Sequence, residues 1–129
     1  MDLVDDDERL AGVRARIESI IDPDPAPAEL ALVGRLLRSF VAKTPEAVER
    51  LLDGFPDKDP ALARDQAHGL KGSAANIGAT GLAALCATLE DEARAGRIPD
   101  VADQIRTEAA AALEAVAAVA EEYAQRSPA

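Results

Sequence analysis

Aromatic residues are almost missing from this chain, at 2% of its 129 positions, and runs of alternating β-branched residues are missing with them, so a sheet core has little to build on. Cysteine occurs once, at Cys86, which excludes an intramolecular disulfide. Histidine also occurs once, at His68, and a single imidazole with no His or Cys partner at ligand spacing lacks the donor set of a metal centre. The same histidine has no serine or cysteine at the spacing of a hydrolytic triad. Positive charge is scarce: 14 Lys and Arg against 24 Asp and Glu leave a net charge of −10, which repels a phosphate backbone and argues against nucleic acid as a partner. No apolar run approaches the roughly 20 residues that span a bilayer, and no basic stretch followed by an apolar one opens the chain, so no membrane role and a cytoplasmic location are expected. A glycine-rich nucleotide loop, a Walker pattern and an acidic Mg²⁺ cluster beside His68 are absent as well, which rules out an ATP-using kinase.

What the chain does have is alanine, the strongest helix former, within an apolar content of 48%. From Asp5 to Ile21, Leu10, Val13, Ile17 and Ile20 recur at helical spacing behind a first turn of acids that suits the helix dipole. The alternate prolines of Asp22–Pro27 then forbid helix and form a short stiff linker. In Ala28–Phe55 the stripe Leu30, Val33, Leu37, Phe40, Thr44, Ala47, Leu51 and Phe55 runs through Thr44-Pro45 without a shift of register. That continuity favours one long helix bent at Pro45 over two shorter ones. Asp59 is placed to cap a helix that opens with Pro60, runs to Ile77 and ends on Gly78. Thr80 is placed to cap a fourth helix carrying Leu82, Leu85, Cys86, Leu89 and Ala93 and closed by Gly96. Pro99 opens a last one to about Gln125, with Ile105, Ala109, Ala112, Val116, Val119 and Tyr123 on one face. The expectation is an all-α protein: an antiparallel up-down four-helix bundle over residues 28–126, with residues 1–27 supplying an additional N-terminal helix and a proline-rich linker. It is a single domain that closes without a partner chain, hence a monomer.

The third helix divides into two faces. At about 100° per residue, Ala63, Ala67, Leu70, Ala74 and Ile77 form its core stripe, and His68 lies roughly 140° away, pointing outward. Arg64, Lys71, Gly72 and Ala75 share that outward face. Gly72 costs about 0.5–1 kcal/mol relative to alanine in a helix interior, a penalty with a use only where another molecule must come close. Gly69 carries the same penalty, for which the sequence offers no reason. Lys71 can bring an ammonium near the imidazole, and a flexible point charge suits a phosphoryl oxygen. Glu90 sits about 80° from the centre of its own helix's core stripe, where its carboxylate can accept from one ring N–H and fix the tautomer. By periodicity alone, these residues fit an inert charged surface as well as a reactive one.

The string from His68 to Ala79, His-Gly-Leu-Lys-Gly-Ser-Ala-Ala-Asn-Ile-Gly-Ala, is followed in step by Leu82, Leu85, Cys86, Leu89-Glu90 and Ala93-Arg94-Ala95-Gly96. Together these resemble the signature of histidine-containing phosphotransfer (HPt) domains, the relay modules of multistep two-component signalling. The resemblance covers about thirty consecutive residues. It extends more loosely to Phe40 and Pro45-Glu46, reaches the last helix only as amphipathic pattern, and leaves residues 1 to about 25 uncovered.

The resemblance implies a usually monomeric four-helix bundle that is a carrier and not an enzyme. His68 takes the phosphoryl group, Lys71 stabilises it, and Gly72, with Arg64 and Ala75, admits the partner. The implied partners are response-regulator receiver domains and a hybrid histidine kinase. No cofactor is implied for this chain, the Mg²⁺ belonging to the receiver. The family often has Gln where Glu90 stands; here the carboxylate is expected on the proximal ring nitrogen, leaving the distal one to react. Two other classes compete: an interaction-only helical adaptor, against which His68, Lys71 and Gly72 together argue, and the dimerisation and phosphotransfer domain of a histidine kinase, which builds its bundle from two chains.

Overall fold

The computed structural model describes residues 5–126, and these form five helices and no strand. Helix α1 spans Asp6–Ile20, α2 Pro27–Leu52, α3 Pro60–Ile77, α4 Thr80–Arg94 and α5 Ala102–Arg126. The most extensive packing joins α3 to α4 and α2 to α5, and α1 lies chiefly on α5. The predicted core stripe of α3 is its buried face residue for residue, and all six predicted core residues of α5 are buried, joined there by Ala115 and Ala120. In α2, Gly34, Val48 and Leu52 join the stripe while Ala47 stays half-buried, as does Phe55 beyond the helix end. In α1, Val13 and Ile17 are buried but Ile20 is exposed, because the helix ends there and the chain turns away into the linker.

Helix boundaries follow from backbone satisfaction. Helix α2 is continuous through Pro45 and stops at Leu52, short of the expected Phe55. Its terminal carbonyls are taken by a side chain from beyond the helix: Lys58 Nζ donates to the carbonyls of Arg50 at 2.8 Å and Asp53 at 3.2 Å. Asp59 occupies the cap position of α3, but its side chain makes no capping bond, and Pro60 at the first helical position leaves no N–H there to satisfy. Helix α3 ends as expected on Gly78, left-handed at φ 86°, where Ala79 N–H reaches back to Ala74 O at 2.8 Å and Gly78 N–H to Ala75 O at 3.2 Å. That tight closure makes Ala79 the cap of α4, and Thr80, expected to cap it, is already its first residue. Gly96 closes α4 in the same way. Helix α5 begins three residues after Pro99, because buried Val101 anchors the incoming chain and its carbonyl accepts the first helical bond, from Ile105 N–H.

Close approach and ion pairs seat α1. A Cβ on Gly78 would stand 2.6 Å from Gly12 O, so backbone meets backbone where α1 crosses the end of α3. Arg9 forks onto Glu108 of α5 at 2.9 and 2.8 Å, both side chains mostly buried, and Gly81 leaves the room, since a Cβ there would stand 2.6 Å from Glu108 Oε2. Arg14 pairs with Glu122, and Arg16 Nε donates to Asn76 O at 3.0 Å. The helix that carries His68 is thus held on one side by α4 and at its C-terminal end by α1.

Candidate functional site

His68 stands on the outward face of α3 with 69% of its side chain exposed. Its Nδ1 lies 2.8 Å from Glu90 Oε2 on the neighbouring α4. Nε2 makes no hydrogen bond or ion pair among the described residues. Glu90 is more deeply placed than its position on the helix wheel suggests: its side chain is 6% exposed. Three groups close over the carboxylate. Lys71 Nζ lies against Oε1, His68 Nδ1 against Oε2, and the Arg94 guanidinium reaches Oε2 at 3.3 Å while also pairing with Asp91. Lys71, first, and His68 then hold the Glu90 carboxyl below the usual carboxylate range, against the opposing push of burial. The carboxylate is therefore ionised at neutral pH and acts only as an acceptor, so the ring proton belongs on Nδ1 and the lone pair on Nε2.

Among the sequence-predicted residues, His68, Lys71 and Glu90 come together. Lys71 rests on the Glu90 carboxylate rather than over the ring. Arg64 pairs loosely with its neighbour Asp65 at 3.6 Å and touches none of the three. Gly72 and Ala75 are exposed, and a Cβ on Gly72 would meet nothing within 4 Å. Arg94, not assigned a role from the sequence, joins the cluster; its position four residues after Glu90 on one helix was the available signal. Cys86, also on α4, is fully buried, and burial first, then Glu90, pushes its thiol up to about 12. It is a core residue and not a nucleophile.

An exposed imidazole with one nitrogen tied to a buried carboxylate and the other open is a site for a covalent nucleophile, presented on a helical scaffold with a cleared patch beside it. The family model for the Hpt domain matches residues 35–124, and the chain belongs to that family. This places it in histidine phosphotransfer within phosphorelays, whose Hpt domains are carriers rather than kinases and interact with response regulators and kinases. Comparison with curated proteins and with solved structures found no match. Among the described residues no helix is long and apolar enough to cross a membrane.

Proposed function

We propose that His68 accepts a phosphoryl group from the aspartyl phosphate of a receiver domain and passes it on to another. Nε2 attacks phosphorus in line, the P–O bond to the aspartate breaks, and the aspartate leaves as a carboxylate. The Nδ1 proton stays in place, and the positive charge that develops on the ring faces the Glu90 carboxylate. The observation that carries this reading is the 2.8 Å contact of Nδ1 with a buried, ionised carboxylate on a ring that is otherwise open to solvent. Lys71 exchanges Glu90 for a phosphoryl oxygen when the group arrives, while Arg94 stays on the carboxylate. Gly72 and Ala75 leave room for the receiver, with Arg64 at the rim, and the receiver brings the Mg²⁺. Helices α2 to α5 form the up-down bundle that performs the transfer, and α1 braces it. The chain works as a cytoplasmic monomer, charged by a hybrid kinase through that kinase's receiver.

The test is phosphate uptake from a phosphorylated receiver. Wild type should acquire an acid-labile, base-stable label, and His68→Gln should keep its helical spectrum and acquire none. Undiminished labelling of that variant would sink the assignment.

A further inference from the structure

One lysine is asked to serve two anions. Lys71 Nζ lies on Glu90 Oε1, and among the described residues no hydrogen bond or other ion pair reaches that oxygen, which is itself buried. When Lys71 moves onto a phosphoryl oxygen, Oε1 loses its partner, and a side chain as closed off as Glu90 leaves little room for solvent to replace it. A buried charge parted from its cation is costly, so the carboxylate that orients the ring also draws the lysine back.

Arg94 is the cation that can stay. It stands on α4 four residues after Glu90, so it keeps its place beside the carboxylate without any motion between helices. One guanidinium nitrogen reaches Glu90 Oε2, the oxygen that also faces His68 Nδ1, at 3.3 Å; the other is held by Asp91 Oδ1 at 3.2 Å. Both contacts are long and the side chain is mostly exposed, so Arg94 adds little while Lys71 is in place. In that arrangement Lys71, then His68, hold the carboxyl low. With Lys71 gone, Arg94 is the only permanent cation among the described residues still paired with Glu90.

We infer that Arg94 is a positioning residue of the transfer: it keeps the Glu90 carboxylate charged and on His68 Nδ1 while Lys71 leaves for the phosphoryl group. This role rests on the phosphotransfer reading and adds to it the means by which Lys71 is released. Arg94 touches neither the reacting nitrogen nor the phosphoryl group and acts through Glu90 alone, so its effect on transfer depends on the Glu90 charge.

The experiment is single-turnover phosphoryl transfer from a purified phosphorylated receiver of the same cell to the full chain, measured across receiver concentration. That range separates the maximal rate from the half-saturating concentration, and a double-mutant cycle of Arg94→Ala with Glu90→Gln isolates the coupling. Arg94→Ala should lower the maximal rate about fivefold to tenfold and leave the half-saturating concentration within about twofold. Arg94→Lys, which keeps the charge, should recover most of the loss. Beside Glu90→Gln, where no buried anion holds Lys71, Arg94→Ala should change the maximal rate by less than about twofold. Wild-type kinetics of Arg94→Ala, a loss confined to the half-saturating concentration, or a loss that persists in full beside Glu90→Gln would overturn the inference while His68 still takes up phosphate. A wild-type chain that takes up none brings down both this inference and the reading beneath it.

Discussion

A carboxylate as buried as Glu90 would ordinarily protonate or move to solvent; here Lys71 and then His68, both from α3, hold it below the usual carboxylate range, and Arg94 of its own helix also reaches it. The arrangement gives Lys71 a structural partner before it has a phosphoryl one. Lys71→Ala should therefore act twice, removing a cation from the transition state and loosening the carboxylate that orients the ring. Transfer should slow by about tenfold to a hundredfold, with the helical content unchanged. Single-turnover kinetics check this, and an unchanged rate would remove Lys71 from the mechanism. Cys86 supplies a second residue-scale expectation. With its thiol pushed up to about 12 and no exposed surface, it should resist a thiol reagent at pH 8 in the folded protein and react at once in denaturant. Much of the site is legible in the sequence at this scale. The outward direction of His68 follows from counting around α3, and the nearness of Lys71 and Glu90 to it follows from their spacing on α3 and α4. The depth of Glu90 is not legible, because the helix wheel of α4 knows nothing of the Lys71 and Arg94 side chains that fold over it.

Among the elements, α3 bears the clearest trade between stability and access. Two glycines with open space above them weaken a helix that gains nothing from them in packing. Gly72→Gln should raise the stability of the isolated domain by about 0.5–1 kcal/mol in urea denaturation. The same variant should block receiver-dependent labelling; retained transfer would make the bare patch incidental. At the other end of α3 the sign reverses. Gly78→Ala combines a left-handed backbone, worth about 1–2 kcal/mol against a non-glycine residue, with a Cβ 2.6 Å from Gly12 O, so it should destabilise by more than that and loosen α1. The stops of α3 and α4 could be read from Gly78 and Gly96. The start of α5 could not, because buried Val101, a tertiary anchor, sets it rather than Pro99. The seat of α1 was likewise hidden: Arg9 and Glu108 are 99 residues apart, and only the folded chain brings them together.

For the molecule as a whole, net charge and ion pairs fix how stability follows pH. Glu90 and Glu122 are both held below the usual carboxylate range, by Lys71 and by Arg14 respectively. A depressed carboxylate binds protons more readily when unfolded, so stability rises with pH through this range. The contribution is fully present above the unfolded glutamate value of about 4.3 and is lost as pH falls below it through the lower folded values. Urea midpoints measured from pH 7 down to pH 3 should fall, and Glu90→Gln and Glu122→Gln should each flatten the fall. Charge is unevenly spread along the chain: α2 and α3 together carry a net +2 within a total of −10. The all-helical class and the single core follow from composition and periodicity, since few aromatics and many alanines leave little else to build.

In the phosphorylated protein the phosphoryl group is expected on Nε2 of His68, with Nδ1 keeping its proton for Glu90. Phosphorus and nitrogen NMR of the imidazole-labelled protein, phosphorylated by its receiver, reads this directly. One phosphoramidate signal coupled to Nε2, with a protonated Nδ1, is expected. Phosphorus on Nδ1, or label on any residue other than His68, would contradict it.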